Sequence, residues 1–239
     1  MKSTVKLVAF DLDGTITQHK SPLDEENKRL LSALSEKYKL LMVGAGGCLR
    51  IFNQLLKFPI DVIGNYGLQY GEYNEKTGEL EIKRNLVFPV DKESVEKRIS
   101  ALREKFGFTE FKGESVEFHS SGCVTFPILG TSAALSDKLA FDPDRSKRRA
   151  IHRIVKDTFP DYTVFVGGTS SFDMSPAPYD KAYALSEYCE ARGIKHCEVV
   201  YVGDDYGIGG NDESVYLSDF NFVKIDDYRT LGEKLDFLL

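Results

Sequence analysis

Two aspartates, Asp11 and Asp13, stand two residues apart at the end of an apolar run, Val5 to Phe10, that only Lys6 interrupts. Gly14 and Thr15 break the run. A near-continuous apolar segment reads as a buried strand of a parallel sheet. Such a strand delivers both carboxylates to its C-terminal edge, where open α/β sheets bind ligands. Two like charges this close are costly unless a cation neutralises them or one keeps a proton. Either solution supports chemistry: a metal site, or a nucleophile beside an acid/base. The apolar run Val199–Val202 repeats the arrangement by entering Gly203-Asp204-Asp205-Tyr206-Gly207-Ile208-Gly209-Gly210-Asn211-Asp212. Carboxylate oxygens, waters and a substrate phosphate are the ligands that Mg²⁺ prefers. Asp204 and Asp205 can complete a site begun by Asp11 and the backbone carbonyl of Asp13. Lys181 follows Asp180 at a helix start and supplies a charge that can neutralise a phosphoryl group and a nucleophilic carboxylate.

The elements that must position these groups alternate. Ser21-Pro22-Leu23-Asp24 reads as a helix start, with Ser21 capping, Pro22 in the first helical position and Asp24 in place of a capping-box Glu. Leu30, Leu31 and Leu34 form its stripe. Leu40–Val43 is a second strand, ending at Gly44-Ala45-Gly46-Gly47, and Ile51, Leu55 and Leu56 mark a second helix. Val62-Ile63 is a third strand. This order predicts a doubly wound parallel α/β sheet. The pattern then changes. Segments Leu68–Tyr73 and Leu80–Ile82 flank a hairpin turn. Helices over Lys92–Phe106 (Val95, Ile99 and Leu102 inward) and Arg145–Phe159 (Ile151, Ile154 and Val155 inward) mix with short strands near 116–118, 124–128, 163–166 and 171–174. We read an α+β insertion over residues 84–178, with residues 1–83 and 179–239 forming the core. Ala182, Leu185 and Cys189 give an inward stripe after the return to the core.

Composition bounds the function. The 239 residues are 42% hydrophobic, enough for a core and a modest second domain. A net charge of −6 argues against a nucleic-acid partner. Cys48, Cys123, Cys189 and Cys197 lack metal-site spacing and read as reduced thiols. No apolar run approaches a membrane span, and the N-terminus has too short an apolar core for a signal peptide. We expect a cytoplasmic protein with no membrane partner.

The decapeptide VAFDLDGTIT (8–17) resembles the DxDGT motif of the haloacid dehalogenase (HAD) superfamily. The Asp204 loop and Lys181 are similar to that superfamily's later motifs. GDDYGIGGNDESVY (203–216) and SFDMSPAPYDKAYAL (171–185) look like segments of eukaryotic-type phosphomannomutases. The resemblance runs in order through nearly the whole chain and is weakest in the insertion. It implies a HAD core with a type C2 cap. It also implies Mg²⁺ held around Asp11, Asp13, Asp204 and Asp205, with Asn211 and Asp212 on the same loop. Ser171 and Asp173 match the family's sugar-contacting pair. Two departures stand out. The second HAD motif normally offers a hydroxyl to the phosphate, where this chain has Gly46 and Gly47. Backbone N–H groups of that glycine loop can cradle a phosphate instead, or the site is catalytically weakened. The family's cap arginines, which hold a second phosphate, are matched only by His119, Thr131 and Lys138; lysine does not replace arginine at a bidentate phosphate site.

The implied reaction is phosphoryl transfer through an aspartyl-phosphate on Asp11, with Asp13 as acid and base. The substrate expected is a small phosphorylated molecule, and a homodimer is compatible with the resemblance. A phosphatase acting on a sugar phosphate is the main expectation. A phosphomannomutase, exchanging mannose 1-phosphate and mannose 6-phosphate, is the alternative. A non-catalytic sensor of a phosphorylated ligand is a third, motivated by the glycines of the second motif.

Overall fold

The computed structural model describes residues 5–239. In chain order its main elements are β1 (Leu7–Phe10), α1 (Glu25–Ser35), β2 (Lys39–Val43), α2 (Cys48–Gln54), β3 (Asp61–Gly64), β4 (Gln69–Asn74) and β5 (Glu79–Asn85). Then follow α3 (Lys92–Phe106), β6 (Glu117–Phe118), β7 (Val124–Pro127), α4 (Leu135–Phe141), α5 (Ser146–Thr158), β8 (Tyr162–Phe165) and β9 (Ser171–Pro176). The chain ends with α6 (Lys181–Arg192), β10 (Val199–Gly203), α7 (Glu213–Tyr216), β11 (Asn221–Lys224) and α8 (Leu231–Lys234). It divides into two compact units: residues 1–85, 180–206 and 212–239, and residues 86–179 with 207–211. The second unit therefore includes a short stretch of the late glycine-rich loop besides the insertion.

The first unit is built on a seven-stranded sheet of order β11-β10-β1-β2-β3-β4-β5. Strands β11, β10, β1, β2 and β3 are parallel, and the β4–β5 hairpin is added antiparallel. Strand β1 is buried on both faces, with alternate residues in two separate cores. Val8 and Phe10 join Leu31, Met42, Ile51 and Val202. Leu7 and Ala9 join Leu41, Leu185, Cys189 and Tyr201. The register pairs Phe10 with Val202, and the Asp11 N–H donates to the Val202 carbonyl at 2.9 Å. Asp11 and Asp204 therefore emerge from neighbouring strands at the same edge.

The second unit has a four-stranded antiparallel sheet of order β6-β7-β9-β8. Val95, Ile99 and Leu102 of α3 pack with Phe126, Phe159 and Phe172 in its core.

Local readings differ from the sequence in instructive ways. Helix α1 starts at Glu25, capped by the Asp24 carboxylate accepting from the Asn27 N–H at 2.8 Å, so Ser21 is not its cap. Asp24 stands directly before the first turn, and its negative charge suits the positive end of the helix. Leu56 is exposed, beyond the end of α2. In α5 the buried positions are Arg148, His152 and Val155, and Ile154 faces out. That helix buries polar side chains, which hides its inward stripe from an apolar count. Arg148 meets Asp142 at 2.8 Å, both essentially inaccessible, and donates to the Gly167 and Ser171 carbonyls. Arg148→Ala should strand a buried carboxylate and lower stability by about 3 kcal/mol, read as a shift in the urea unfolding midpoint of the second unit's transition.

Candidate active site

Asp11 follows the last residue of β1, and Lys181 opens α6 behind its cap Asp180, whose carboxylate accepts from the Tyr183 N–H. A lysine at a helix N-terminus is unfavourably placed in the helix dipole. Here its ammonium is fully buried and held by acids: it donates to Asp11 Oδ1 at 2.5 Å and to Asp212 Oδ1 at 2.7 Å. Asp212 also accepts from the Tyr201 hydroxyl at 2.6 Å and from the Asp205 N–H at 3.1 Å. Thr15 Oγ1 donates to Asp204 Oδ1 at 3.0 Å, spanning the β1 and β10 loops. Gly14, at φ +96°, lets Asp204 approach: a Cβ there would stand 2.5 Å from Asp204 Oδ2.

Burial raises the Asp11 pKa well above the carboxylate range; Asp212 and Asp204 add to the rise and Lys181 opposes it. Burial pulls the Lys181 pKa down, but the two carboxylates more than offset that, so it is raised and the ammonium stays charged. Asp204 is pushed up to about 6, first by burial and then by Asp212. One ammonium thus faces three carboxylates, whose oxygens from Asp11, Asp204 and Asp212 lie within 4.8 Å of one another. Hard oxygen donors with surplus negative charge suit a divalent cation such as Mg²⁺.

Asp13 turns elsewhere. Its Oδ1 accepts from Gln54 Nε2 at 2.7 Å and from the Lys20 N–H at 2.7 Å, and Arg50 Nη2 lies 3.7 Å from its Oδ2. Asp205 is buried, yet its carboxylate is not in the converging trio, whereas Asp212, read from sequence as a loop residue, is. Among the described residues, the N–H groups of Gly46 and Gly47 have no hydrogen-bond acceptor, while the Gly46 carbonyl accepts from the Asn65 N–H. Sequence reasoning missed Thr15, Gln54 and Tyr201. Thr15 lies within the DxDGT stretch and offered a signal; Gln54 and Tyr201 carry none outside the fold.

The second unit holds its own polar cluster. His119 Nε2 is 3.0 Å from Thr125 Oγ1, which donates to Asp173 Oδ1 at 3.0 Å, and Ser171 Oγ is 3.5 Å from the same oxygen. Burial raises the Asp173 pKa. Lys138 Nζ donates to the Thr131 carbonyl at 2.9 Å. Asn211 falls in the part of the late loop that belongs to this unit.

Residues 27–226 match the family model of eukaryotic phosphomannomutase. The chain belongs to that family. Phosphomannomutase of Saccharomyces cerevisiae is 27% identical over 237 residues, covering 96% of this chain and 88% of the relative. Phosphomannomutase 1 of Dictyostelium discoideum is 26% identical over 214 residues, covering 86% of this chain and 84% of the relative. Among solved structures, an IMP-bound, N-terminally truncated Plasmodium falciparum IMP-nucleotidase has a TM-score of 0.69 at 15% identity, covering 98% of this chain and 68% of that one. A haloacid dehalogenase-like hydrolase from B. subtilis has a TM-score of 0.64 at 15% identity, covering 98% and 100%. The fold is that of the HAD superfamily, and this phosphomannomutase-family chain is an enzyme. The family match begins after Asp11 and Asp13, but the alignment to the yeast relative covers nearly the whole chain. Among the described residues no helix is long and apolar enough to cross a membrane.

Two outcomes follow from the electrostatics. Protons compete with a cation for a carboxylate. With Asp204 titrating at about 6 and Asp11 raised as well, Mg²⁺ affinity measured by calorimetry should fall as pH drops through about 6 and below. Lys181→Met leaves Asp11 and Asp212 buried without their ammonium. It should cost about 3 kcal/mol of stability in urea unfolding, part of it recovered by added Mg²⁺.

Proposed function

We propose that this enzyme moves a phosphoryl group between oxygens of a hexose phosphate, with phosphomannomutase chemistry, through an aspartyl-phosphate on Asp11. The carrying observation is the Asp11 carboxylate held by buried Lys181 beside Asp204 at the C-terminal edge of β1. Family membership favours transfer back to a sugar over the hydrolysis that the sequence alone put first.

Asp11 attacks phosphorus in line; the P–O ester bond breaks, and the leaving oxygen takes a proton from Asp13. Asp13 then removes the proton of the incoming hydroxyl, which attacks the aspartyl-phosphate and regenerates Asp11. Gln54 and the Lys20 N–H hold Asp13 for this role. Lys181 offsets charge on the phosphoryl oxygens. Mg²⁺ on Asp11, Asp204 and the Asp13 carbonyl would supply further charge neutralisation. Asp205 and Asp212 support these groups: the Asp212 N–H donates to the Asp205 carbonyl, the Asp205 N–H donates to the Asp212 carboxylate, and Asp212 holds Lys181. The Gly46 and Gly47 N–H groups contact the phosphate, and Ser171 and Asp173 read sugar hydroxyls.

One observation favours a second reading, hydrolysis. The residues at the cap arginine positions are already engaged: His119 with Thr125, Thr131 with the Glu114 N–H, and Lys138 with a carbonyl. A weakly held second phosphate would let water accept the phosphoryl group.

The test is to incubate the enzyme with Mg²⁺, mannose 1-phosphate and a hexose bisphosphate, following mannose 6-phosphate and free phosphate together. The proposal expects bisphosphate-dependent isomer, at least a thousandfold lower in Asp11→Asn. Free phosphate without isomer establishes the second reading. Equal turnover by Asp11→Asn contradicts both.

A further inference from the structure

We infer that Arg50 is a direct contact of the transferring phosphoryl group, and that Gly46 is glycine to make room for it. The inference rests on the phosphoryl-transfer reading above.

The loop between β2 and α2 contains Gly46, whose φ lies outside the left-handed region, so the backbone there does not require glycine. Space does. A Cβ at residue 46 would lie 2.2 Å from Arg50 Nη2, 2.3 Å from Nε and 2.6 Å from Cζ. The guanidinium thus lies across the bare Cα of Gly46, in the volume any side chain at 46 would take.

Two further contacts hold it there. Arg50 Nη1 donates to Gln54 Oε1 at 3.0 Å, and Gln54 Nε2 donates in turn to Asp13 Oδ1 at 2.7 Å. Arg50 Nη2 closes the ring at 3.7 Å from Asp13 Oδ2. Asp13 is the proposed proton donor to the leaving oxygen, so a group fixed against it sits beside the bond that breaks.

Charge gives the reason for a cation at this point. Asp11, Asp13, Asp204 and Asp212 are paired, among the described residues, with only two cationic side chains: Lys181 on Asp11 and Asp212, and Arg50 on Asp13. A phosphoryl dianion brings more negative charge to the same edge. A guanidinium has five N–H donors in a planar fork suited to phosphate oxygens, and the contacts to Gln54 and Asp13 leave donors over. About half of the Arg50 side chain is exposed (49%), so an arriving ligand can reach it.

The test compares orthovanadate binding, measured calorimetrically with Mg²⁺, in the wild type, Arg50→Gln, Gly46→Ala and the double variant. Thermal unfolding checks that each remains folded. Loss of a charge-assisted contact predicts about 30-fold weaker binding in Arg50→Gln. Gly46→Ala should lose a similar factor although Arg50 is intact, because the new methyl group displaces the guanidinium. The double variant should bind no worse than either single one, since both remove the same contact. Binding by Arg50→Gln within about twofold of the wild type overturns the inference, as does a full second loss on adding Gly46→Ala. A wild type that binds neither orthovanadate nor inorganic phosphate overturns the phosphoryl-transfer reading itself, which keeps the two failures apart.

Discussion

Everything at this site depends on one buried ammonium. Lys181 has no accessible surface and lies between Asp11 and Asp212. Neither acid would be tolerated ionised at that depth without it. The arrangement joins distant parts of the chain: the end of β1, the start of α6 and the loop after β10. Tyr201 and the Asp205 N–H complete the hydrogen bonding of Asp212, so that residue orients the lysine, and in the proposed reaction Asp11 is left for the phosphoryl group. Burial first, and then the neighbouring carboxylates, raise the Asp11 and Asp204 pKa values, and a divalent cation would offset that negative charge.

The parallel sheet turns that interaction into a site. Adjacent strands β1 and β10 run the same way and in a register that pairs Phe10 with Val202, so the residues just past each strand meet at one edge. Asp11 and Asp204 need no special loop conformation to converge beyond the turn at Gly14 that admits the second carboxylate. Asp13, one residue beyond Leu12, points to a different set of partners from α2. Two carboxylates two residues apart thus acquire different surroundings, as the proposed roles of nucleophile and acid/base would require.

Much of this was legible in the sequence. The strands before Asp11 and Asp204 are apolar throughout because both their faces are buried, and that is the pattern that marks a parallel strand. Helix α3 was readable to the residue because its stripe is aliphatic. What stayed hidden depends on contacts between segments far apart in the chain. Asp212 looked like one more loop acid, since only the folded β10 loop turns it onto Lys181. Gln54 reads as an ordinary helix-end residue until α2 brings it against Thr17 and Asp13, 37 and 41 residues away along the chain. Helix α5 forms where its sequence places it, with Val155 and Ile151 inward, but Arg148 and His152, which it also buries, carry no apolar signal, and Ile154 faces out. The glycines after β2 read from sequence either as a phosphate cradle or as a weakened site; in the fold, Gly46 is the space in which Arg50 lies.

In the proposed reaction Asp11 itself carries the phosphoryl group. The direct measurement is peptide mass spectrometry of the enzyme quenched in acid during turnover with Mg²⁺ and a hexose bisphosphate. The expected result is a phosphoryl mass increment on the peptide containing Asp11, lost on a chase with sugar phosphate and missing from Asp11→Asn. A phosphoryl group found on another residue, or turnover with no phosphorylated peptide at any time point, would contradict it.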